Sequence, residues 1–483
     1  MSAFSSRKVL VAVAAVAATA LTFSVALPAQ AASEDKTLRV AGIIPLTGGL
    51  SFLSPPEVAA IHLAVDEINA AGGVLGNKVE LTIADSGDGD TLQIADQSAT
   101  KAIAKKADVV IGAASSGVTR SIINKITGAK IVEISMSNTA PDLSTWKDGG
   151  FYFRTAPSDL LQGKIIANQI LQDGSKNVAV IYQDSSYGKG LSDVATGVLT
   201  KGKATVTGYA FPENETNFAS IVDKALATGP DAVVIVSYDE SKKIIPALKA
   251  KNFKGSGIYL VDGNLVDYSA ESYGTYLNGA KGTNPGKAIS DNFKARLSAA
   301  YKKYEKKELK EFVYGAETYD AVILTALAAQ AAGKATGPGV KSQLTNVSKA
   351  GKGKVTVTSF KAGLKAIKAG KKVNYDGFSG PIEFDANGDP TGAYIGIYQY
   401  GATGSNTLVK VVAGRLALEN LLHPFQPFVL GQKNLAPKLA CLYNIPLVFY
   451  GENEAEYGNP KESNGAKRSK DYFTSHAIHL GGI

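Results

Sequence analysis

The stretch Ala107–Gly117, "ADVVIGAASSG", holds the decisive pattern of this 483-residue chain. A short Val/Ile run stops at a glycine, and two serines and a second glycine follow before a helical pattern begins. An unbroken run of β-branched residues reads as a strand buried on both faces of a parallel sheet, and Ser before a helical stretch reads as a cap. The same punctuation recurs on either side. "TLRVAGIIPL", "KVELTIADS", "AKIVEISMS", "NVAVIYQD", "ATVTGYAF", "DAVVIVSY" and "GIYLVDG" are short apolar runs ending in polar residues or glycine. Helical segments separate them. In "SPPEVAAIHLAVDEINAAGG", Val58, Ile61, Val65 and Ile68 share one face and Gly72 and Gly73 stop the helix. Strand alternating with helix implies an α/β fold.

Residues 37–413 are too many for one such sheet, so two domains are expected. No repeat and no Pro/Gly/Ser linker separates two contiguous halves, which suggests that the chain passes between lobes more than once. Ligands of open α/β sheets bind at the carboxyl ends of the strands, so function is sought there. Ser115, Ser116 and Gly117 open a helix whose free N–H groups suit a carboxylate, although taken alone these residues read more readily as a plain serine cap. Ser137, Asn138 and Thr139 end the next strand. Further along, Tyr187, Tyr238 and Asp262 each follow a strand, two rings to cover a small ligand and a carboxylate to meet an ammonium.

These blocks occur in the order found in extracytoplasmic amino-acid-binding proteins of ABC importers, of the leucine/isoleucine/valine type. The chain resembles that family over residues 37–412, through "IPLTGGL", "AVDEINAAGGVLGNKVEL", "VVIGAASSGVTRSI", "ISMSNTAPDL", "FRTAPSDLLQG", "DSSYGKGL" and "GPIEFDANGDPTGAYIGIYQY". The resemblance implies the type I fold, two Rossmann-like lobes joined by three crossings near residues 154–159, 278–286 and 378–394. The first lobe would hold about 37–156 and 283–378, the second about 157–282 and 379–413. It implies that Ser116 binds a ligand carboxylate, that the Ser137 carbonyl and Thr139 hold the amino-acid head group, that Tyr187 and Tyr238 close over it, and that Asp262 pairs with the ammonium. The family more often carries Glu where Asp262 stands, and Ala114 replaces a larger apolar residue. The expected function is capture of a small amino acid, branched-chain by default, for delivery to a membrane permease. A sensor ectodomain, or a receptor for amides, urea or aromatic acids, is the alternative.

The two ends read differently. "MSAFSSRKVLVAVAAVAATALTFSVALPAQA", residues 1–31, has the cations Arg7 and Lys8, an apolar core and a small-residue cleavage site, which is a secretory signal. The expected location is therefore extracytoplasmic. The one cysteine, Cys441, excludes an intrachain disulfide, and no cysteine stands near the cleavage site to anchor a lipoprotein. From Gly414 the composition changes. "RLALENLLHPFQPFVLGQKNLAPKLACLYNIPLVFYGENEAEYGNP", Arg415–Pro460, resembles a block of N-acetyl sugar amidotransferases, cytoplasmic enzymes with an ATP-pyrophosphatase fold. The phosphate loop of that family is missing, so no enzyme is expected, and residues 414–483 read as a fragment joined by gene fusion or by sequence assembly that does not fold on its own.

Other motifs carry less. "GVLTKGKA", Gly197–Ala204, lacks the final Ser/Thr of a phosphate loop and runs from helix into strand. "DSGDGD", Asp85–Asp90, reads as a turn and helix cap rather than a calcium loop. With four histidines in all, His476 and His479 among them, no metal site or histidine-based catalysis is expected, and no cofactor. The formal charge of +8 is spread over many segments, which reads as a solvated surface rather than a nucleic-acid interface, and a monomer is expected.

Overall fold

A computed structural model describes residues 36–380 and 382–415. The signal-peptide reading of residues 1–31 lies outside them, as do Cys441, His476, His479 and all but the first residue of the amidotransferase-like stretch Arg415–Pro460.

The first sheet is built from β1 (Arg39–Ile44), β2 (Glu80–Asp85), β3 (Val109–Gly112), β4 (Val132–Ser135) and β5 (Tyr152–Arg154), in the order β2-β1-β3-β4-β5 with every neighbour parallel. The helices between them are α1 (Ser54–Ala70), α2 (Leu92–Ala104) and α3 (Ser116–Gly128). Val58, Ile61, Val65 and Ile68 of α1 are buried as their spacing predicts, and Gly72 and Gly73 end the helix with positive φ.

The chain then builds a second sheet. In sequence come α4 (Asp159–Gln172), β6 (Asn177–Gln183), α5 (Ser186–Lys201), β7 (Thr205–Phe211), α6 (Ala219–Ala227), β8 (Ala232–Val236), α7 (Ser241–Ala250), β9 (Ile258–Leu260) and β10 (Lys281–Pro285). It returns to the first lobe for α8 (Asp291–Glu305), α9 (Gly315–Ala332), α10 (Gly337–Ser348), the two-stranded parallel ribbon β11 (Lys354–Val357) and β12 (Lys372–Tyr375), and α11 (Phe360–Lys368) between them. It ends in the second with β13 (Gly392–Tyr400) and β14 (Asn406–Arg415). The second sheet runs β14-β13-β10-β9-β8-β6-β7, parallel from β10 to β7 and antiparallel at β13 and β14. Helices cover both faces of each sheet, which is why β3 and β8 are buried at every residue and read as unbroken Val/Ile runs.

Three segments therefore join the sheets, at 155–158, 286–290 and 376–391. The second comes later than the sequence suggested, because β10 keeps residues 281–285 paired with β9 and β13. β14 likewise extends past the expected end of the receptor pattern. Gly414 pairs with Ala393 and Arg415 with Gly392. A ladder is held by backbone groups, so β13 recruits partners whatever their side chains resemble.

The crossings are tied to one another. Arg154, fully buried at the end of β5, donates through Nε and Nη2 to the two carboxylate oxygens of Asp389 at 2.6 and 2.8 Å, across 235 residues of chain. Its remaining donors reach the Ser144 hydroxyl at 2.7 Å and the carbonyls of Ala140 at 2.9 Å and Asn138 at 3.4 Å. Asp320 of α9 accepts from the Tyr375 hydroxyl, the Phe378 and Ser379 N–H groups and the Ser379 hydroxyl, at 2.6 to 3.1 Å, and so fixes the start of the third crossing. No helix among the described residues is long and apolar enough to cross a membrane.

Candidate functional site

The cleft between the sheets is walled by the strand ends that the sequence singled out. On the first lobe, β3 ends at Gly112, where φ is +127° and a Cβ would overlap the Ile43 carbonyl of β1, so only glycine passes. The chain then enters α3. Its cap is Ser115, whose Oγ accepts the Val118 N–H at 3.4 Å, which leaves Ser116 in the first turn with its own Oγ accepting the Ala140 N–H at 3.3 Å. The Ser137 hydroxyl bridges the Ala114 carbonyl at 3.3 Å and the Glu57 carboxyl at 3.4 Å. Asn138 is committed to structure: its amide donates to the carbonyls of Ala113 and Ala114, and its oxygen accepts the Tyr152 hydroxyl. Thr139 is buried with no hydrogen-bond partner for its hydroxyl, while its carbonyl accepts the Asp159 N–H at 2.7 Å.

On the second lobe, Tyr187 lies in the first turn of α5, Tyr238 follows β8 and Asp262 follows β9. The two rings stack, centroids 5.2 Å apart and planes 10° from parallel. Asp262 Oδ1 accepts from the Tyr187 hydroxyl and from Gln162 Nε2, each at 2.8 Å, and Oδ2 accepts from the Tyr314 hydroxyl at 2.6 Å. Tyr314 belongs to the other lobe. It stands just before α9 in a left-handed conformation, φ +59°, and this bond spans the cleft. Leu50, Leu53 and Ala114 of the first lobe pack in one apolar cluster with Tyr187, Tyr238 and Tyr314.

Electrostatically the cleft is short of positive charge. Asp159, the first residue of α4, is fully buried, with the Thr139 hydroxyl beside its carboxyl and no cation hydrogen-bonded to either oxygen. Burial, and then the neighbouring charge of Asp262, push its carboxyl well above the usual carboxylate range. Burial also raises Asp262, outweighing the hydroxyl and amide bonds it accepts. Asp262 is held by neutral donors, and the one cation acting on Asp159, Arg154, is engaged with Asp389, so the two carboxyls make a site that gains from a bound cation.

All six residues picked from the sequence, Ser116, Ser137, Thr139, Tyr187, Tyr238 and Asp262, thus stand at the ends of strands that face this cleft. Asp159, Gln162 and Tyr314 were missed as site residues. The first two stand in the quoted block "FRTAPSDLLQG", where a serine cap followed by an acid in the first turn looks like ordinary helix chemistry. Tyr314 has no sequence signal, since only its backbone conformation turns the ring across the cleft.

Two lobes with strand ends converging on a buried polar cleft define a ligand receptor. The periplasmic binding protein family model matches residues 37–405, and the chain belongs to that family. The substrate-binding protein BasB of a chemotactic signal transduction system in Halobacterium salinarum is 29% identical over 365 residues, covering 74% of this chain and 85% of that one. The Leu/Ile/Val-binding protein homolog 3 of Brucella melitensis is 30% identical over 212 residues, a match spanning 44% of this chain and 56% of the relative, little more than half its length. Among solved structures, the branched-chain amino acid substrate-binding protein LivJ of Streptococcus pneumoniae, in complex with isoleucine, superposes with a TM-score of 0.63 at 24% identity over 78% of this chain and all of the other. These proteins bind solutes, and the family works outside the cytoplasm.

Proposed function

We propose that this protein captures an apolar α-amino acid, branched-chain in the first instance, between its closing lobes and presents it to a membrane permease. The observation that carries this reading is Asp159, a fully buried carboxyl beside Asp262 with no cation hydrogen-bonded to it. A ligand ammonium placed there would satisfy both. The ligand carboxylate would lie against the first turn of α3 at Ser116, where free N–H groups and the helix dipole favour an anion. The Ser137 carbonyl and Thr139 would complete the head-group site, and Tyr187 and Tyr238 would cover it. The apolar surface of Leu50, Leu53 and Ala114 then suits an aliphatic side chain.

Closure follows from the division of these groups between lobes. A ligand held by Ser116 and Thr139 on one side and by Tyr187, Tyr238 and Asp262 on the other binds the closed form better, and that difference drives the equilibrium. A carboxylic acid without an ammonium leaves Asp159 unpaired, which disfavours the aromatic-acid alternative. The sensor alternative uses the same capture step and differs in the membrane partner.

A thermal-shift screen of the purified chain tests the reading. L-leucine, L-isoleucine or L-valine at a hundred times its dissociation constant is expected to stabilise the protein by about 2.7 kcal/mol. Stabilisation by benzoates, urea or aliphatic amides, with none by amino acids, would overturn it.

A further inference from the structure

Away from the head-group site, the mouth of the cleft is closed by like charges. Glu213 follows β7 on the second lobe and is half-buried. Its carboxyl group fills the space over Gly89, in the turn after β2 of the first lobe, so that a side chain at Gly89 would overlap it. Its Oε1 also comes within 3.8 Å of where a Cβ would stand on Gly117, in the first turn of α3. No acid or base occupies that first turn, and Arg120 further along α3 pairs with Asp142.

The charged groups around Glu213 are acidic on both sides. From the first lobe Asp88 and Asp90 act on it, and from the second Glu240 and Asp184. Glu240 is itself held by Gln183 Nε2 and the Tyr238 N–H, and Asp239 beside it pairs with Lys242 at 3.0 Å. In the loop of Glu213 itself, Glu215 accepts the N–H groups of Thr216 and Asn217 and feels the charge of Lys243. Lobe 2 therefore brings an acid, together with its acidic neighbours, against two acids of lobe 1.

We propose that Glu213 is a proton-operated latch of the cleft, seating over Gly89 when protonated and, when ionised, opposing closure through Asp88 and Asp90. Burial and these carboxylates push the Glu213 carboxyl up to about 7 in the closed arrangement. Opening removes the burial and the first-lobe charges and returns it toward the ordinary value of 4.5. A group with those two values makes closure about tenfold more favourable at pH 6 than at pH 8. The protein would then hold its ligand more tightly in mildly acidic surroundings and release it more readily as the pH rises.

The latch is tested on the full chain by two readouts. Small-angle scattering of the unliganded protein is expected to give a smaller radius of gyration at pH 6 than at pH 8, and Glu213→Gln to give the compact value at both. Calorimetric titration with L-leucine is expected to show affinity falling about tenfold over the same range in the wild type and staying level in Glu213→Gln. Asp90→Asn, an exposed position, should move the transition to lower pH for want of the enforced charge. A wild type indifferent to pH in both readouts, or a Glu213→Gln protein with the wild-type dependence, would overturn the proposal. If L-leucine fails to bind at either pH, the amino-acid reading fails and the scattering still decides the latch.

Discussion

Replacing Asp389 by asparagine should unfold the hinge at a cost set by the charge it leaves behind. Arg154 is fully buried, and its counter-charge is Asp389, engaged by two bonds of 2.6 and 2.8 Å. The other acceptors of the guanidinium, the Ser144 hydroxyl and the carbonyls of Ala140 and Asn138, are neutral. Charge-assisted bonds contribute about 1.5–3 kcal/mol each, and breaking a buried pair by removing one partner costs about 3–5 kcal/mol because the remaining ion is desolvated without compensation. Asp389→Asn is therefore expected to lose about 3–5 kcal/mol in urea unfolding followed by circular dichroism. The double variant Arg154→Met, Asp389→Leu removes both charges and should recover most of the loss. A single variant that loses less than about 1 kcal/mol, or a double variant no better than the single, would refute the claim that this ion pair clamps the first and third crossings.

Other expectations address the site and its pH dependence. Asp262→Asn and Asp159→Asn should each weaken L-leucine binding by about ten- to a hundredfold in calorimetry, the equivalent of one charge-assisted bond. Tyr314→Phe removes the 2.6 Å bond that spans the cleft, and should weaken binding about three- to tenfold while leaving urea stability within about 1 kcal/mol. Glu317, buried in α9, is pushed up to about 8 by burial from an ordinary 4.5. Between those values the folded chain keeps a proton that the unfolded chain has lost, so stability falls as pH rises, by at most about 1.4 kcal/mol per unit from this group. Glu317→Gln should flatten the unfolding free energy between pH 6 and pH 8 by that slope, and an unchanged slope would reject it.

What the sequence conveyed follows from which forces are local. The strands were legible because burial on both faces leaves nothing but Val, Ile and Ala in runs such as "AVVIV" of β8. "DSGDGD" was legible as a turn and cap, and Asp88 does cap the turn that Gly89 opens, exchanging hydrogen bonds with Thr91. Strand-end residues were findable because the parallel topology delivers them to one cleft. Contacts between distant segments were not. Arg154 and Asp389 look like any surface cation and any turn acid until the crossings bring them together. Asp159 carries a helix-start signature, and what distinguishes it is burial without a partner. Glu213 sits in a polar loop, and only lobe 2 lying on lobe 1 makes it neighbour to Asp88 and Asp90.

The central claim is that the cleft selects an α-amino acid by its ammonium, through Asp159 and Asp262. Calorimetric titration with L-leucine and with 4-methylpentanoate, which keeps the carboxylate and the side chain and lacks only the amino group, isolates that term. The account predicts binding of L-leucine and a loss of at least about a hundredfold in affinity for 4-methylpentanoate, since the buried carboxyls of Asp159 and Asp262 would then face each other with no ligand cation between them. Equal affinity for the two compounds, or tighter binding of 4-methylpentanoate, would contradict it.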